Sequence, residues 1–295
     1  MTQGSSRNTD RRTVYRYAAG AWGRRDDVVA VEEPLEIRVD VPAGGGRTEL
    51  PISVTMRTPG DDFPLAAGFL LGEGIVGDRQ EIVDLRYCRN ITPQEFNVVT
   101  VTLRTAVDPA LLTRNFYTTS SCGVCGKASI EAVEVQVAGC APLATGSLKL
   151  TSELILDLPV RLRKAQAVFD RTGGLHAAGL FDAEGEVVDV REDVGRHNAV
   201  DKVAGAALLD GRIPLHEHVL VVSGRLSFDI VQKAVTAGIP ALIAVGAPSS
   251  LAVDLAEEFG VTLIGFVRGG AFNVYTGVER VAVARAEVDP AEAER

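Results

Sequence analysis

The sequence predicts an α/β chain (α+β overall), in which a mainly parallel sheet covered by helices follows a smaller, β-rich N-terminal unit. Three observations predict it. From about residue 152 onward, strand-length apolar runs alternate with helix-length segments. Before residue 104 the apolar residues mostly alternate with polar ones, as in half-buried strands. The longest apolar runs, such as Val219–Val222 and Ala241–Val245, are of strand length.

Residues 1–25 are polar and rich in Arg, Thr and Ser, which predicts a disordered or loosely attached arm. Val28–Val31, Leu35–Val39 and Leu50–Met56 are strand candidates, with Gly44-Gly45-Gly46 turning the chain between the last two. Asp61-Asp62-Phe63-Pro64 opens a helix: either aspartate can cap it, and Pro64 suits its first turn. Its apolar face is Leu65, Phe69 and Leu70. Glu81–Cys88 and Asn97–Leu103 return to strand, Asp108–Leu112 reads as one helical turn, and Lys127–Val137 reads as helix. Ser152–Asp170 is helical, with Pro159 expected to kink or split it. Strands then follow at Leu175–Phe181, Val187–Arg191, Val219–Ser223, Ala241–Val245 and Val261–Val267. Helices follow at Gly195–Leu209, Leu226–Ala237 and Ser249–Phe259. The expected division is an arm (1–25), a small α+β domain (26–115), a cysteine loop and linker (116–150), a second domain (151–280) and a tail (281–295).

Composition narrows the function. The chain has 295 residues, 46% hydrophobic and 23% charged, with a formal net charge of −9. That is a globular balance, and the negative charge argues against non-specific nucleic-acid binding. No apolar stretch has the length of a signal peptide core or a membrane span, so a cytoplasmic protein without a membrane role is expected. In that compartment four cysteines are not expected to form a disulfide framework.

The chemistry is expected at Ser121-Cys122-Gly123-Val124-Cys125-Gly126. Two sulfurs at Cys-x-x-Cys spacing can share a metal, form a disulfide or pass a substituent between them. Small neighbours leave the sulfurs open to a large partner. A helix starting at Lys127 would favour the Cys125 thiolate through its dipole and the lysine charge. Zinc would need two more ligands, but Cys88 and Cys140 are single and no matching pair exists. A thioredoxin-like pair needs a different context, and an inert buried pair sits badly with Thr118-Thr119-Ser120-Ser121. An acyl- or sulfur-transfer nucleophile fits best. Cys88 and Cys140 read as inert small residues.

Other polar segments end strands. Arg191 to Lys202 is densely polar where a strand feeds a helix, a place where α/β sheets bind ligands; the bland alternative is a helix face with ordinary salt bridges. Ser223-Gly224-Arg225, Ala247-Pro248-Ser249-Ser250 and Phe266 to Asn273 offer open backbone and anion-friendly helix starts, although Ser249 or Ser250 can be a simple cap. If the strands are parallel, these loops converge on one sheet edge, where a nucleotide or pterin phosphate is the natural guest. His176 is a lone histidine and more often structural.

Several of these motifs, in this order, resemble the formate dehydrogenase accessory sulfurtransferase family (FdhD/NarQ). They are Arg57-Thr58-Pro59-Gly60-Asp61-Asp62, Thr119 to Lys127, Thr172 to Ala178, Glu192 to Lys202, Ser223-Gly224-Arg225 and Phe266 to Tyr275. The resemblance spans about residues 26–280. It implies a cytidine-deaminase-like second domain and a protein that accepts persulfide sulfur from a cysteine desulfurase. That sulfur passes to the molybdenum (or tungsten) bis-pterin guanine dinucleotide cofactor before the cofactor enters formate dehydrogenase. By position, Cys122 matches the persulfide carrier, with Cys125 as companion. Phe266, Val267, Arg268, Gly269, Gly270 and Ala271 match the cofactor-binding segment. The family also suggests a homodimer. Zinc deaminases need a His-x-Glu and a Pro-Cys-x-x-Cys, whereas His176-Ala177-Ala178 has no glutamate and no cysteine pair follows it; neither zinc nor deaminase activity is expected. The rival from another class is a non-catalytic chaperone that binds and protects the cofactor.

Overall fold

The computed structural model describes residues 8–88, 95–107, 143 and 148–282. The expected helices at Asp108–Leu112 and Lys127–Val137 lie outside them. The chain begins with a hairpin of two ten-residue strands, β1 (Thr9–Ala18) and β2 (Ala21–Ala30), paired in register from Thr9↔Ala30 to Ala18↔Ala21. Of the disordered or loosely attached arm expected over residues 1–25, this corrects the disordered alternative for residues 8–25; residues 1–7 lie outside the described ones. Alternating residues such as Thr13, Tyr15, Tyr17 and Trp22 suit a pleated ladder, and Ala19-Gly20 supplies two positive-φ turn positions.

β3 (Glu33–Ala43), β4 (Gly46–Arg57), β5 (Ile82–Tyr87) and β6 (Val98–Leu103) make a four-stranded sheet in the order β4-β3-β6-β5. Only β3 and β6 run parallel. Helix α1 (Asp62–Gly72) follows β4 and is buried along nearly its whole length, well beyond the Leu65–Phe69–Leu70 stripe. Pro64 does lie in its first turn, but neither aspartate caps it. Asp61 sits at the N-cap with a left-handed φ of 57° and no capping bond, and its carboxylate takes Arg191 instead.

β7 (Leu150–Thr151) leads into α2 (Ser152–Ala165), capped by Thr151 Oγ1 accepting the Leu154 N–H at 3.2 Å. Pro159 lies inside α2 without splitting it. The break comes at Gln166, whose φ/ψ of −82°/75° leaves the helical region, and α3 (Ala167–Thr172) restarts after it. Then come β8 (His176–Phe181), β9 (Val187–Asp193), α4 (Arg196–Leu209), β10 (Val219–Val222), α5 (Phe228–Thr236), β11 (Ala241–Ala244), α6 (Ser250–Glu258), β12 (Thr262–Arg268), β13 (Ala271–Thr276) and β14 (Val281–Ala282). β14 pairs with β7.

The large sheet has six strands in the order β13-β12-β11-β10-β8-β9. It is mixed, not mainly parallel: of the five pairings, only β10–β11 and β11–β12 are parallel. The cause is local. Short turns join β8 to β9 and β12 to β13, and a short turn can only reverse a strand. Gly269 and Gly270, at φ 62° and 78°, make the second of these turns, as a two-residue hairpin loop requires.

The central strands are buried on both faces, so they read as continuous apolar runs. Leu220, Val222, Leu242 and Ala244 face one core; Val219, Val221, Ala241 and Ile243 face the other, with Ile155, Leu158 and Leu162 of α2. The first core is continuous with that of the small sheet: Leu35, Ile37 and Val99 belong to one cluster with α1, α4 and the large sheet. The junction is the crossing of α1 and α4, where only glycine fits. A Cβ on Gly68 would lie 1.9 Å from the Asp201 carbonyl oxygen, and one on Gly205 would lie 1.8 Å from that of Pro64.

Candidate functional site: one edge of the large sheet

The parallel strands β10, β11 and β12 end side by side, and their following segments are laced by backbone hydrogen bonds. The Gly246 N–H donates to the Gly224 carbonyl (3.2 Å), and the Phe266 N–H donates to the Gly246 carbonyl (3.1 Å). Leu226 and Pro248 form a further bridge, with the Leu226 N–H donating to the Ala247 carbonyl (3.0 Å). The glycines permit this approach. A Cβ on Gly246 would lie 2.7 Å from the Gly224 oxygen, and one on Gly265 would lie 3.1 Å from the Gly246 oxygen. The convergence expected of the strand-end segments is therefore present, because these three strands are the parallel part of the sheet.

Phe266 belongs to this edge through its backbone. It holds φ 56°, in the left-handed region that bulky residues rarely adopt. The β12–β13 ladder is irregular between Gly265 and Arg268, and the Phe266 N–H turns toward Gly246. Such strain gathers where function over-determines the backbone. The rest of the expected cofactor segment splits in two: Val267 is buried and Arg268 exposed at the end of β12, while Gly269 and Gly270 form the turn and Ala271 starts β13. The Arg268 guanidinium stands 5.5 Å from the Phe266 ring centroid, an arginine held over an aromatic face.

His176 joins the same edge because β8 is antiparallel to β10. That pairing sets the start of β8 beside the end of β10, and a Cβ on Gly224 would be 3.5 Å from His176 Nδ1. The α4 N-terminus adds Arg196, whose side-chain carbons would lie 3.6 Å from that same Cβ. Arg196 Nε is buried and has no hydrogen-bond partner among the described residues. His197 Nε2 lies 3.0 Å from Ser227 Oγ and 3.5 Å from Asp229 Oδ2. Burial lowers the His176 pKa, and Arg196 lowers it further. His197 is pushed down to about 4, chiefly by burial and also by Lys233, Arg196 and His176, against the pull of Asp229. Both imidazoles are therefore neutral at pH 7, beside two arginines free to meet an anion: Arg196 and the exposed Arg225.

The remainder of Glu192–Lys202 does structural work. Asp193, fully buried, lies 2.7 Å from Lys202 Nζ and accepts the Thr58, Gly195 and Asn198 N–H groups at 3.1, 2.8 and 3.0 Å. Lys202 Nζ also donates to the Thr58 and Glu192 carbonyls, at 2.9 and 3.2 Å. Asn198 donates to the Met56 carbonyl (2.8 Å) and accepts from Thr55 Oγ1 (3.1 Å). Asp201 is buried 2.7 Å from Lys233; burial raises its pKa to about 6 despite that lysine. In the Arg57–Asp62 segment, buried Arg57 grips Asp62 through two bonds of 2.9 and 3.1 Å. Two polar motifs far apart in sequence thus form one network that fastens the small sheet to α4. Breaking one such buried pair costs about 3–5 kcal/mol.

Ser249 is the simple cap, accepting the Ala252 N–H at 3.3 Å, and Ser223 Oγ accepts the Ala177 N–H at 2.9 Å. Ser227, Asp229 and Gly246 had no sequence signal that set them apart. Cys122, Cys125 and Cys140 lie outside the described residues. Cys88 follows β5 and is half-buried. Among the described residues no cluster of His, Cys, Asp and Glu has metal-binding geometry, and no helix is long and apolar enough to cross a membrane.

Comparison with known proteins places this fold. The chain is 54% identical over 283 residues to a protein of Streptomyces coelicolor named sulfur carrier protein FdhD, covering 94% of this chain and 97% of that one. Its counterpart of the same name from Sulfolobus acidocaldarius is 42% identical over 256 residues, 87% and 92% of the two chains. A crystal structure from Desulfotalea psychrophila, assigned as a formate dehydrogenase accessory protein, superposes with a TM-score of 0.71 at 27% identity, covering 93% of this chain and all of that one. The model of the FdhD/NarQ family matches residues 30–282, from the end of the arm to β14, so the chain belongs to the FdhD/NarQ family.

Proposed function

We propose that this protein carries sulfur as a persulfide on Cys122, from a cysteine desulfurase to the bis-pterin guanine dinucleotide cofactor of molybdenum or tungsten destined for formate dehydrogenase. The observation that carries this proposal is the pairing of Cys122-Gly123-Val124-Cys125 with relatives more than half identical, over nearly the whole chain, that are named sulfur carriers. The open sheet edge supports the second half. Neutral His176 and His197, the unpartnered Nε of Arg196, exposed Arg225 and the glycine-lined backbone at 224, 246 and 265 suit a phosphate-bearing substrate. Phe266 to Ala271 contributes through the Phe266 backbone and Arg268. The kinship of the large sheet with cytidine deaminases, a cytoplasmic location and a homodimeric assembly belong to the same proposal.

In this scheme the Cys122 thiolate attacks the outer sulfur of the desulfurase persulfide. The donor S–S bond breaks, a Cys122 persulfide forms, and the desulfurase cysteine leaves as thiolate. Attack of the Cys125 thiolate on the inner sulfur of that persulfide would release sulfide to the metal and leave a Cys122–Cys125 disulfide, which a cellular thiol reduces. The strand-end edge holds the dinucleotide end of the substrate during the transfer.

Mass spectrometry after incubation with a desulfurase and cysteine tests the proposal. The expected result is a gain of one sulfur that is lost on reduction and absent from Cys122→Ala. The same variant should abolish formate dehydrogenase activity in the host. Full activity in Cys122→Ala, with no sulfur gained by the parent chain, would favour a non-catalytic chaperone of the cofactor.

A further inference from the structure

Asp229 sits at the open edge of the large sheet, and a phosphate-bearing substrate does not explain it. It lies in the first turn of α5, shortly after the Ser223-Gly224-Arg225 segment, with its side chain 45% exposed. Among the described residues it accepts no hydrogen bond, and its ion pair is with His197 alone, Oδ2 standing 3.5 Å from Nε2. Burial keeps that imidazole neutral, so the pairing supplies no positive charge. Lys233 stands one turn along the same helix, but its ammonium is committed to Asp201 at 2.7 Å. An acid in the first turn of a helix complements the helix dipole. That accounts for a carboxylate on α5, but not for one set against a neutral histidine at an edge built to meet an anion.

The edge therefore has two ends of opposite sign. At one, Arg196 and His176 close on Gly224, and Arg225 is exposed. At the other is Asp229. The His197 ring feels Arg196 and His176 as well as Asp229, and its Nε2 lies 3.0 Å from Ser227 Oγ. A carboxylate only accepts hydrogen bonds. Beside a phosphate it repels, unless the ligand sets N–H donors against it. The amino-oxopyrimidine ring shared by guanine and pterin does this: a ring N–H and the neighbouring amino group form two adjacent donors that can meet both carboxylate oxygens. Adenine offers a lone pair at the corresponding ring nitrogen and is refused.

We propose that Asp229 selects the heterocycle of the substrate. Its carboxylate accepts the ring N–H and amino N–H of guanine, or of the pterin that carries the same ring, while Arg196 and Arg225 take the neighbouring phosphates. His197 holds the carboxylate from the other side as a positioning residue. This inference rests on the edge being the site of the dinucleotide end and adds the residue that discriminates between rings. A site that hydrogen-bonds a ligand N–H rejects the analogue lacking it far more strongly than an apolar pocket rejects a change of shape.

Isothermal titration calorimetry of the full chain with guanosine, inosine, xanthosine and adenosine diphosphates and with neopterin tests it. The parent should bind guanosine diphosphate at least about tenfold more tightly than the inosine compound, which lacks the amino group, or the adenosine compound. Asp229→Asn should weaken guanosine diphosphate at least about tenfold and bind xanthosine diphosphate more tightly than the parent does. The amide can donate to the oxygen that replaces the amino group there, and misfolding cannot produce such a gain. If guanosine diphosphate is unaffected and neopterin alone weakens, the ring that Asp229 reads is the pterin. A variant that keeps the parent's affinity for both guanosine diphosphate and neopterin overturns the role of Asp229 and leaves the edge as a binding site. So does a loss of guanosine diphosphate with no gain for xanthosine diphosphate. A parent that binds none of these compounds overturns the edge as the substrate site, and the selection by Asp229 falls with it.

Discussion

Burial of His197 beside Ser227, with Lys233, Arg196 and His176 close by, keeps its imidazole neutral until about pH 4. The ordinary histidine value is about 6.5, so in the acid range the unfolded chain takes up a proton that the folded chain refuses. The stabilisation is complete above about 6.5 and is lost as pH falls toward 4. Between pH 7 and pH 5 the unfolding free energy should therefore drop by on the order of 1–2 kcal/mol more in the parent than in His197→Gln. Urea melts of both proteins at the two pH values check this. Equal slopes would show that the imidazole is as free in the fold as outside it. His197 and Arg196 also show where residue-level reading stopped. The polar run 191–202 looked like one ligand-binding cluster, but only its Arg196–His197 step faces the open edge. Asp193, Asn198, Asp201 and Lys202 point inward, to partners up to 144 residues away at Thr55, Met56 and Thr58 or to Lys233. Residue type announces charge; it does not announce which side of a helix the neighbouring sheet will cover.

The α1–α4 crossing concentrates the packing of the fold, and it depends on Gly68 and Gly205. Gly205→Ala would place a methyl group 1.8 Å from the Pro64 carbonyl oxygen, and backbone there cannot give way as a flexible side chain can. The helices must separate, which should cost at least ~2 kcal/mol, because overpacking a filled core typically costs 1–3 kcal/mol. A lowered urea midpoint with an unchanged slope checks it, and a midpoint equal to the parent's would mean that the crossing is looser than described. Most elements were legible in the sequence because each has its own period: strands β3 to β6 alternate, and β10, β11 and β12 are apolar on both faces. What was not legible was strand direction. The reversals at residues 182–186 and 269–270 make the large sheet mixed, and the β13 strand had read as an open glycine segment. Gln166, not Pro159, ends α2, since a proline can persist within a helix when its surroundings hold the flanking turns.

At the scale of the molecule, the two sheets share one continuous apolar core through α1 and α4, and buried ion pairs at Asp193–Lys202 and Arg57–Asp62 cross or brace the same region. Calorimetry should accordingly record one cooperative unfolding transition, with calorimetric and van't Hoff enthalpies in agreement. Two resolved transitions would mean that the small sheet and the large sheet melt independently. The arm stands outside this core, which is why its sequence looked unstructured: its residues bury little, and the cross-strand ladder between Thr9 and Ala30 orders them, with β2 lying against α3 and Arg171 donating to Thr9 Oγ1 at 2.9 Å.

The sequence by itself determined most element types, though not the strands of the arm or β13, together with the two-faced burial of the central strands, the cysteine pair and the family, because periodicity, composition and contiguous motifs are local properties. Tertiary structure alone decided which polar residues became core network and which stayed at the edge. It also set the mixed strand directions, the left-handed Phe266 and the meeting of Gly224, Gly246 and Phe266. Each of these depends on contacts between segments tens of residues apart, whose free energy is fixed only when the sheet has formed.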